Sequence, residues 1–400
     1  MDRQARLARL RCVIAFVLGF TILISTSVSQ VIALIAVALV LIERKPQEHW
    51  QQIRGNPVVW ASLALFLWLG ISMAYSVAPR SDLIRAWLKY HELLLLPFFL
   101  LLCRDGPAAR AGLYGFLASV ALVVVLGIYE RLFHTYIVFS HHAAAGVFGS
   151  YIIEGVMASL AAYHLAVAAM LDPPRRPYWA FGAGLAIVYV IFCTLGRTGY
   201  LVVFALAVLL LFQTAPRRWL LPGVVLTGLI TGGVFFASPD LSERMSGVIT
   251  GIEGSHANGS ANSAGLRMQF YRGSLEIFAL HPIFGTGTGS FERVYSAHAA
   301  AENLAPTTNP HNEYLMIGVQ TGIVGLALFF GLLGALWVSA ARLPLADALR
   351  GRAVTLALAI SCLFNSSLLD HVDGHSFAFQ IGLFYFGISR REDQRHHHDV

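Results

Sequence analysis

The stretch RAGLYGFLASVALVVVLGIYERL, residues 110–132, carries no charge between Ala111 and Tyr129. A helix of about 20 such residues reaches across the hydrocarbon core of a bilayer. A helix apolar on every side is buried in a large core or in lipid, not packed on the surface of a soluble domain. Working outward, comparable runs lie near 11–28, 29–43, 57–77, 83–103, 148–171, 178–196, 198–213 and 219–237, and, after a polar stretch, near 311–340, 353–369 and 373–389. The expected fold is an all-α polytopic membrane protein with about twelve transmembrane helices. Its expected divisions are 1–237 (nine spans), a loop at 238–310, 311–389 (three spans) and a tail at 390–400.

Composition agrees. Apolar residues make up 56% and charged residues 12%, against roughly 25% charged in soluble domains. The net charge of +6 comes from arginines dispersed over short loops, which points to topology and away from nucleic acid. Cys12, Cys103, Cys193 and Cys362 sit in or beside apolar runs and form no Cys-x-x-Cys pair; neither a zinc site nor a disulfide framework is indicated. With the N-terminus in the cytoplasm, alternate loops carry Arg3, Arg6, Arg9 and Arg11, then Arg44, Lys45 and Arg54, and onward to Arg390, Arg391 and Arg395, which is nineteen of the 28 basic residues. The positive-inside rule then predicts an inner-membrane protein with both termini inside and the long loop in the periplasm.

The outward cations are the informative ones: Arg80, Arg85, Lys89, Arg131, Arg197, Arg244, Arg267, Arg272 and Arg293. Arg85 and Lys89 are four apart and share one helix face, with Arg80 in the entry turn before them. A basic face at a membrane boundary suits a diphosphate headgroup, although long cationic side chains also snorkel to the interface without binding anything. Arg197, in Gly196-Arg197-Thr198-Gly199, stands at the tip of a tight helical hairpin. In the long loop, Leu266 to Leu280 has helical periodicity, and Arg267 and Tyr271 form an i, i+4 pair able to face one ligand. The Gly/Ser/Ala/Asn stretch from Gly254 to Ala264 reads as flexible.

The alternating glycines of His281 to Phe291 lack the βαβ context of a nucleotide loop and predict close backbone packing instead. Asn309-Pro310-His311-Asn312 reads as a helix start, with Asn309 as N-cap and Pro310 at the first position. That would place His311 in the first turn, where the helix dipole disfavours its protonated form. A neutral His311 can act as a general base; the alternative is a structural histidine at a helix end. Asp370-His371-Val372-Asp373-Gly374-His375 and His141-His142 contain metal-ligand residue types without recognisable zinc spacing, and polar turns are the expected reading. Asn258-Gly259-Ser260 formally matches a glycosylation acceptor.

The order of these pieces resembles the O-antigen ligase and O-antigen polymerase superfamily of bacterial envelope glycosyltransferases. The resemblance is carried by Arg197, Arg267, the Pro-x-x-Gly-x-Gly-x-Gly-x-Phe segment from Pro282 to Phe291, His311-Asn312, and Gly318, Gly322 and Gly325. It implies a GT-C-like helical fold and transfer of a glycan from undecaprenyl diphosphate, in a ligase to the lipid A–core oligosaccharide, at the periplasmic face. By that likeness His311, Arg197 and Arg267 match the family's essential residues. Arg80, Arg85, Lys89, Tyr271 and Asn312 complete the expected donor site. No Asp-x-Asp occurs in the loop, so no divalent metal, nucleotide-sugar donor or other cofactor is expected. The long loop and short tail favour ligase over polymerase. A transporter is a further alternative, but its polar residues would gather near mid-membrane in repeated halves.

Overall fold

A computed structural model describes residues 3–43, 45–135, 146–194, 196–237 and 263–388. Arg44, His141-His142, Arg244, Asn258-Gly259-Ser260, most of Gly254–Ala264 and the tail lie outside the described residues. The described chain is helical, with no strand among these residues. Its first part comprises α1 (Arg3–Thr21), α2 (Thr26–Ile42), α3 (Pro46–Arg54), α4 (Pro57–Ile71), α5 (Arg80–Leu88), α6 (Glu92–Leu102), α7 (Gly106–Phe133), α8 (Tyr151–Leu171), α9 (Arg176–Phe192), α10 (Arg197–Thr214) and α11 (Arg217–Ala237). Then follow α12 (Ser263–Leu280), α13 (Phe291–Glu302), α14 (Glu313–Ser339), α15 (Leu345–Phe364) and α16 (His371–Tyr385).

Among the described residues, five helical stretches are long and apolar enough by themselves to cross a membrane: Pro57–Tyr75, Gly106–Phe133, Tyr151–Leu171, Arg197–Thr214 and Glu313–Arg342. This is a helical membrane protein. Other apolar runs are interrupted. The run expected at 83–103 is two helices, α5 and α6, separated at Lys89-Tyr90-His91. Local sequence explains the ends of α7: the Asp105 side chain accepts from Ala108 N–H, Pro107 occupies the first turn, and His134 closes the helix in the left-handed region at φ 50°. α1 lies along α7 because Gly115 and Gly19 carry no side chain; a methyl group at Gly115 would collide with the carbonyl of Phe16.

Two of the basic residues that set topology also hold helices together. Buried Arg11 bonds Glu43 and, at 2.6 Å, Asp105, while Arg104 reaches Glu43 at 2.7 Å. These pairs tie α1, the end of α2 and the α6–α7 turn. Removing one partner of such a buried network is worse than never having built it.

The most informative element is α14. Gly322 breaks it at φ 65°, ψ −160°. In a continuous helix Ile323 and Val324 N–H would donate to the Val319 and Gln320 carbonyls. Instead they donate to Pro282 and Ile283 carbonyls, at 2.8 and 3.4 Å, and the freed carbonyls accept from Thr286 N–H (2.9 Å) and Gly287 N–H (2.7 Å). The glycine segment thus satisfies these four backbone groups freed by the break, as irregular backbone inside a membrane protein requires. On its other side Val77 N–H donates to the Thr286 carbonyl (3.2 Å) and the Ser76 hydroxyl to that of Thr288 (2.8 Å). The expected close backbone packing is what forms. Below it, Phe270, Ile277, Phe291, Tyr295, Met316 and Val319 make a small core joining α12, α13 and the start of α14.

Candidate active site

The periodicity expected from Leu266 to Leu280 is realised as α12. Its buried face carries Phe270 and Ile277, which turns Arg267 and Tyr271 toward the start of α14. The Tyr271 hydroxyl lies 3.2 Å from the His311 carbonyl and 2.9 Å from that of Leu363, at the end of α15. The Phe270 and His311 rings are 6.4 Å apart.

The cap differs from the expected one. Asn312, not Asn309, is the N-cap, accepting from Leu315 N–H at 3.0 Å. The Asn309 side chain is engaged elsewhere: it accepts from His311 N–H at 2.8 Å and from the Ser366 hydroxyl at 2.7 Å. His311 therefore precedes the helix, in the left-handed region at φ 55°. A non-glycine residue there costs about 1–3 kcal/mol and persists only where its surroundings over-determine it. Here both of its backbone polar groups are held. The neutral imidazole expected from the helix dipole arises from another cause: burial first, then the nearby Arg267 guanidinium, lowers the His311 pKa. The Asn312 amide is engaged at both ends, its NH₂ donating to the Leu363 carbonyl at 3.0 Å.

A second group forms a cleft of about 620 Å³ between α5, α13 and α14, lined by Arg85, Lys89, Arg293 and Gln320 among others. Arg85 and Lys89 share this wall as their spacing predicts. Arg80 opens α5, exposed, and is not among the lining residues. Arg293, one of the outward cations but given no role from sequence, also lines the cleft and donates to the Val77 carbonyl at 2.9 Å; its signal was its place two residues into a helix after the glycine segment. Across α14 from Met316 and Gln320, the Tyr314–Gly318 face borders an apolar groove of about 380 Å³ with Leu275, Phe278 and Leu363. Arg197 begins α10, which packs on α8 and α15; Gly196 there leaves room for Tyr151 and Ile152.

Residues 181–330 match the sequence model of a family described as O-antigen ligase. Over these residues the chain is similar to that family. No curated protein matches the chain. The matched segment runs from within α9 to within α14. It contains Arg197, Arg267, Tyr271, His311 and Asn312, the glycine segment and the break at Gly322. Arg85 and Lys89 come from the chain before it, so the cleft is completed by residues outside the matched segment.

If His311 accepts a proton during turnover, the neutral form is the active one. A lowered pKa keeps it neutral to lower pH, so the acid limb of kcat/KM should fall below histidine's ordinary value of about 6.5. Replacing Arg267 with Gln removes a cause of that lowering and should move the limb upward. A pH–rate profile of both proteins checks the direction.

Proposed function

We propose that this protein ligates O-antigen polysaccharide from undecaprenyl diphosphate onto lipid A–core at the periplasmic face of the bacterial inner membrane. The reading includes a GT-C-like fold with about twelve crossings, given by shorter and broken helices beside the five long ones, and a catalytic loop at 238–310. Its chief support is His311, held in a strained conformation beside Arg267 and Tyr271 within a segment similar to the O-antigen ligase family.

In the proposed reaction an acceptor sugar hydroxyl attacks the anomeric carbon of the donor. The new C–O bond forms as the bond to the diphosphate oxygen breaks, and the electron pair leaves with the diphosphate. His311 takes the hydroxyl proton, and Arg197 and Arg267 stabilise the departing charge. Single displacement inverts the anomeric centre. The step, so written, uses guanidinium groups where other transferases use a divalent metal, and needs no cofactor. The cleft with Arg85, Lys89 and Arg293 suits a diphosphate or acidic core sugars, and the apolar groove suits a polyprenyl chain.

The test is a gel of lipopolysaccharide and lipid-linked glycan from a strain lacking the protein. The ligase reading expects lipid A–core without repeats and accumulated long lipid-linked polymer. Lipid A–core bearing one repeat and no long chains would overturn it in favour of a polymerase. For the cleft, Arg85→Glu with Lys89→Glu is expected to raise the donor KM by roughly tenfold or more, with kcat less affected. An unchanged KM in purified enzyme would remove these residues from the donor site.

A further inference from the structure

His91, Glu92, His371 and His375 meet where the start of α6 packs against the start of α16. Each offers one ring nitrogen or carboxylate oxygen, and these atoms all lie within 4.8 Å of one another. The three imidazoles surround one carboxylate: Glu92 Oε1 is 3.2 Å from His371 Nδ1, and Oε2 is 3.5 Å from His91 Nδ1. The seat is shaped for that carboxylate, since a side chain at Gly374 would meet Glu92 Cγ at 2.8 Å.

Two buried acceptors in this cluster make no hydrogen bond. Glu92 and His375 are each 1% exposed. His375 Nδ1 bonds the His371 carbonyl at 2.7 Å, so Nε2 carries the lone pair, and Nε2 is buried without a hydrogen bond. Glu92 Oε2 is buried without one too. Unpaired buried acceptors are costly, and a cation held among the four residues' ligand atoms, all within 4.8 Å of one another, would satisfy an acceptor such as Glu92 Oε2. Three imidazoles and a carboxylate are a ligand set for zinc, with bonds of about 2.0–2.2 Å in a tetrahedron. The His91 and His371 side chains are 27% and 41% exposed, which gives an ion a path in.

We propose that His91, Glu92, His371 and His375 bind one zinc ion. The ion clamps α6 to α16 and fixes the Lys89-Tyr90-His91 break, and so the position of Lys89 in the cleft wall. It is a structural ion, outside the transfer step. The sequence conceals it because Glu92 and His371 are 279 residues apart.

The test uses the full chain, purified in detergent without an added histidine tag. His396, His397 and His398 of the tail are replaced by alanine, because they could bind zinc themselves. After chelation and titration with zinc, this background should bind one ion and melt at a higher temperature with it. Glu92→Gln, His91→Ala and His371→Ala should each weaken binding by at least about tenfold. The last two alter partly exposed side chains and keep the test valid if the buried Glu92 variant does not fold. No stoichiometric zinc in the background, or the same affinity in every folded variant, would overturn the proposal.

Discussion

His311→Ala is expected to lower kcat for glycan transfer by about 100- to 10,000-fold, the range a positioned general base contributes, with donor KM little changed. Several features single out this residue rather than another polar group nearby. His311 carries the strain of φ 55°, and its N–H and C=O are held by Asn309 and Tyr271. Its ring is kept in the basic, neutral form by burial and by Arg267. His311→Gln, which keeps hydrogen bonding but cannot take up the proton, should be nearly as slow. The measurement is single-turnover transfer from a lipid-linked donor with purified protein. A variant as fast as the parent would show that the histidine is structural; equal losses in binding and in rate would point to acceptor orientation.

Gly322→Ala is expected to destabilise the protein by about 3–5 kcal/mol, in the range reserved for a few severe mechanisms, or to prevent its accumulation. Two costs coincide. A side chain at φ 65° is strained in any surroundings. The added carbon would also collide with the Ile283 carbonyl, and backbone cannot step aside as a flexible side chain can. Relief requires the Pro282–Gly287 segment to withdraw, which strands the four backbone groups it satisfies. Gly331→Ala is the control: in the same helix, with nothing within 4 Å of the added carbon, it should be neutral or slightly stabilising. Thermal melts of the detergent-solubilised proteins compare them, and equal melting temperatures would mean that the break is not required.

Much was legible in the sequence because it rests on local rules. Apolar runs predict helices, and among the described residues five of the resulting stretches are long and apolar enough to cross a membrane unaided. The period of 266–280 predicted α12, and the spacing of Arg85 and Lys89 placed both on one wall of the cleft. The glycines of 285–289 predicted close backbone packing, since residues without side chains permit it whatever the partner. His311 stood out because a histidine beside helix-start residues at a membrane boundary has few bland explanations.

What the sequence left open depends on partners distant along the chain. Asn309 and Asn312 are equally good caps by composition; Asn312 caps α14 because Ser366, from the α15–α16 turn, and His311 N–H occupy the Asn309 side chain. The run at 83–103 reads as one apolar helix, yet it divides at Lys89-Tyr90-His91, where Tyr90 is buried against Glu313 and His91 faces α16. Gly322 looks like any glycine of an apolar helix until the segment from Pro282 to Gly287 is seen to complete the hydrogen bonds it interrupts. Sequence determined which stretches are helical and which residue types could do chemistry, because periodicity and side-chain chemistry are local. Tertiary structure decided where helices break, which side chains are already engaged and which groups share a site, because those follow from backbone hydrogen bonds and burial between residues far apart in the chain.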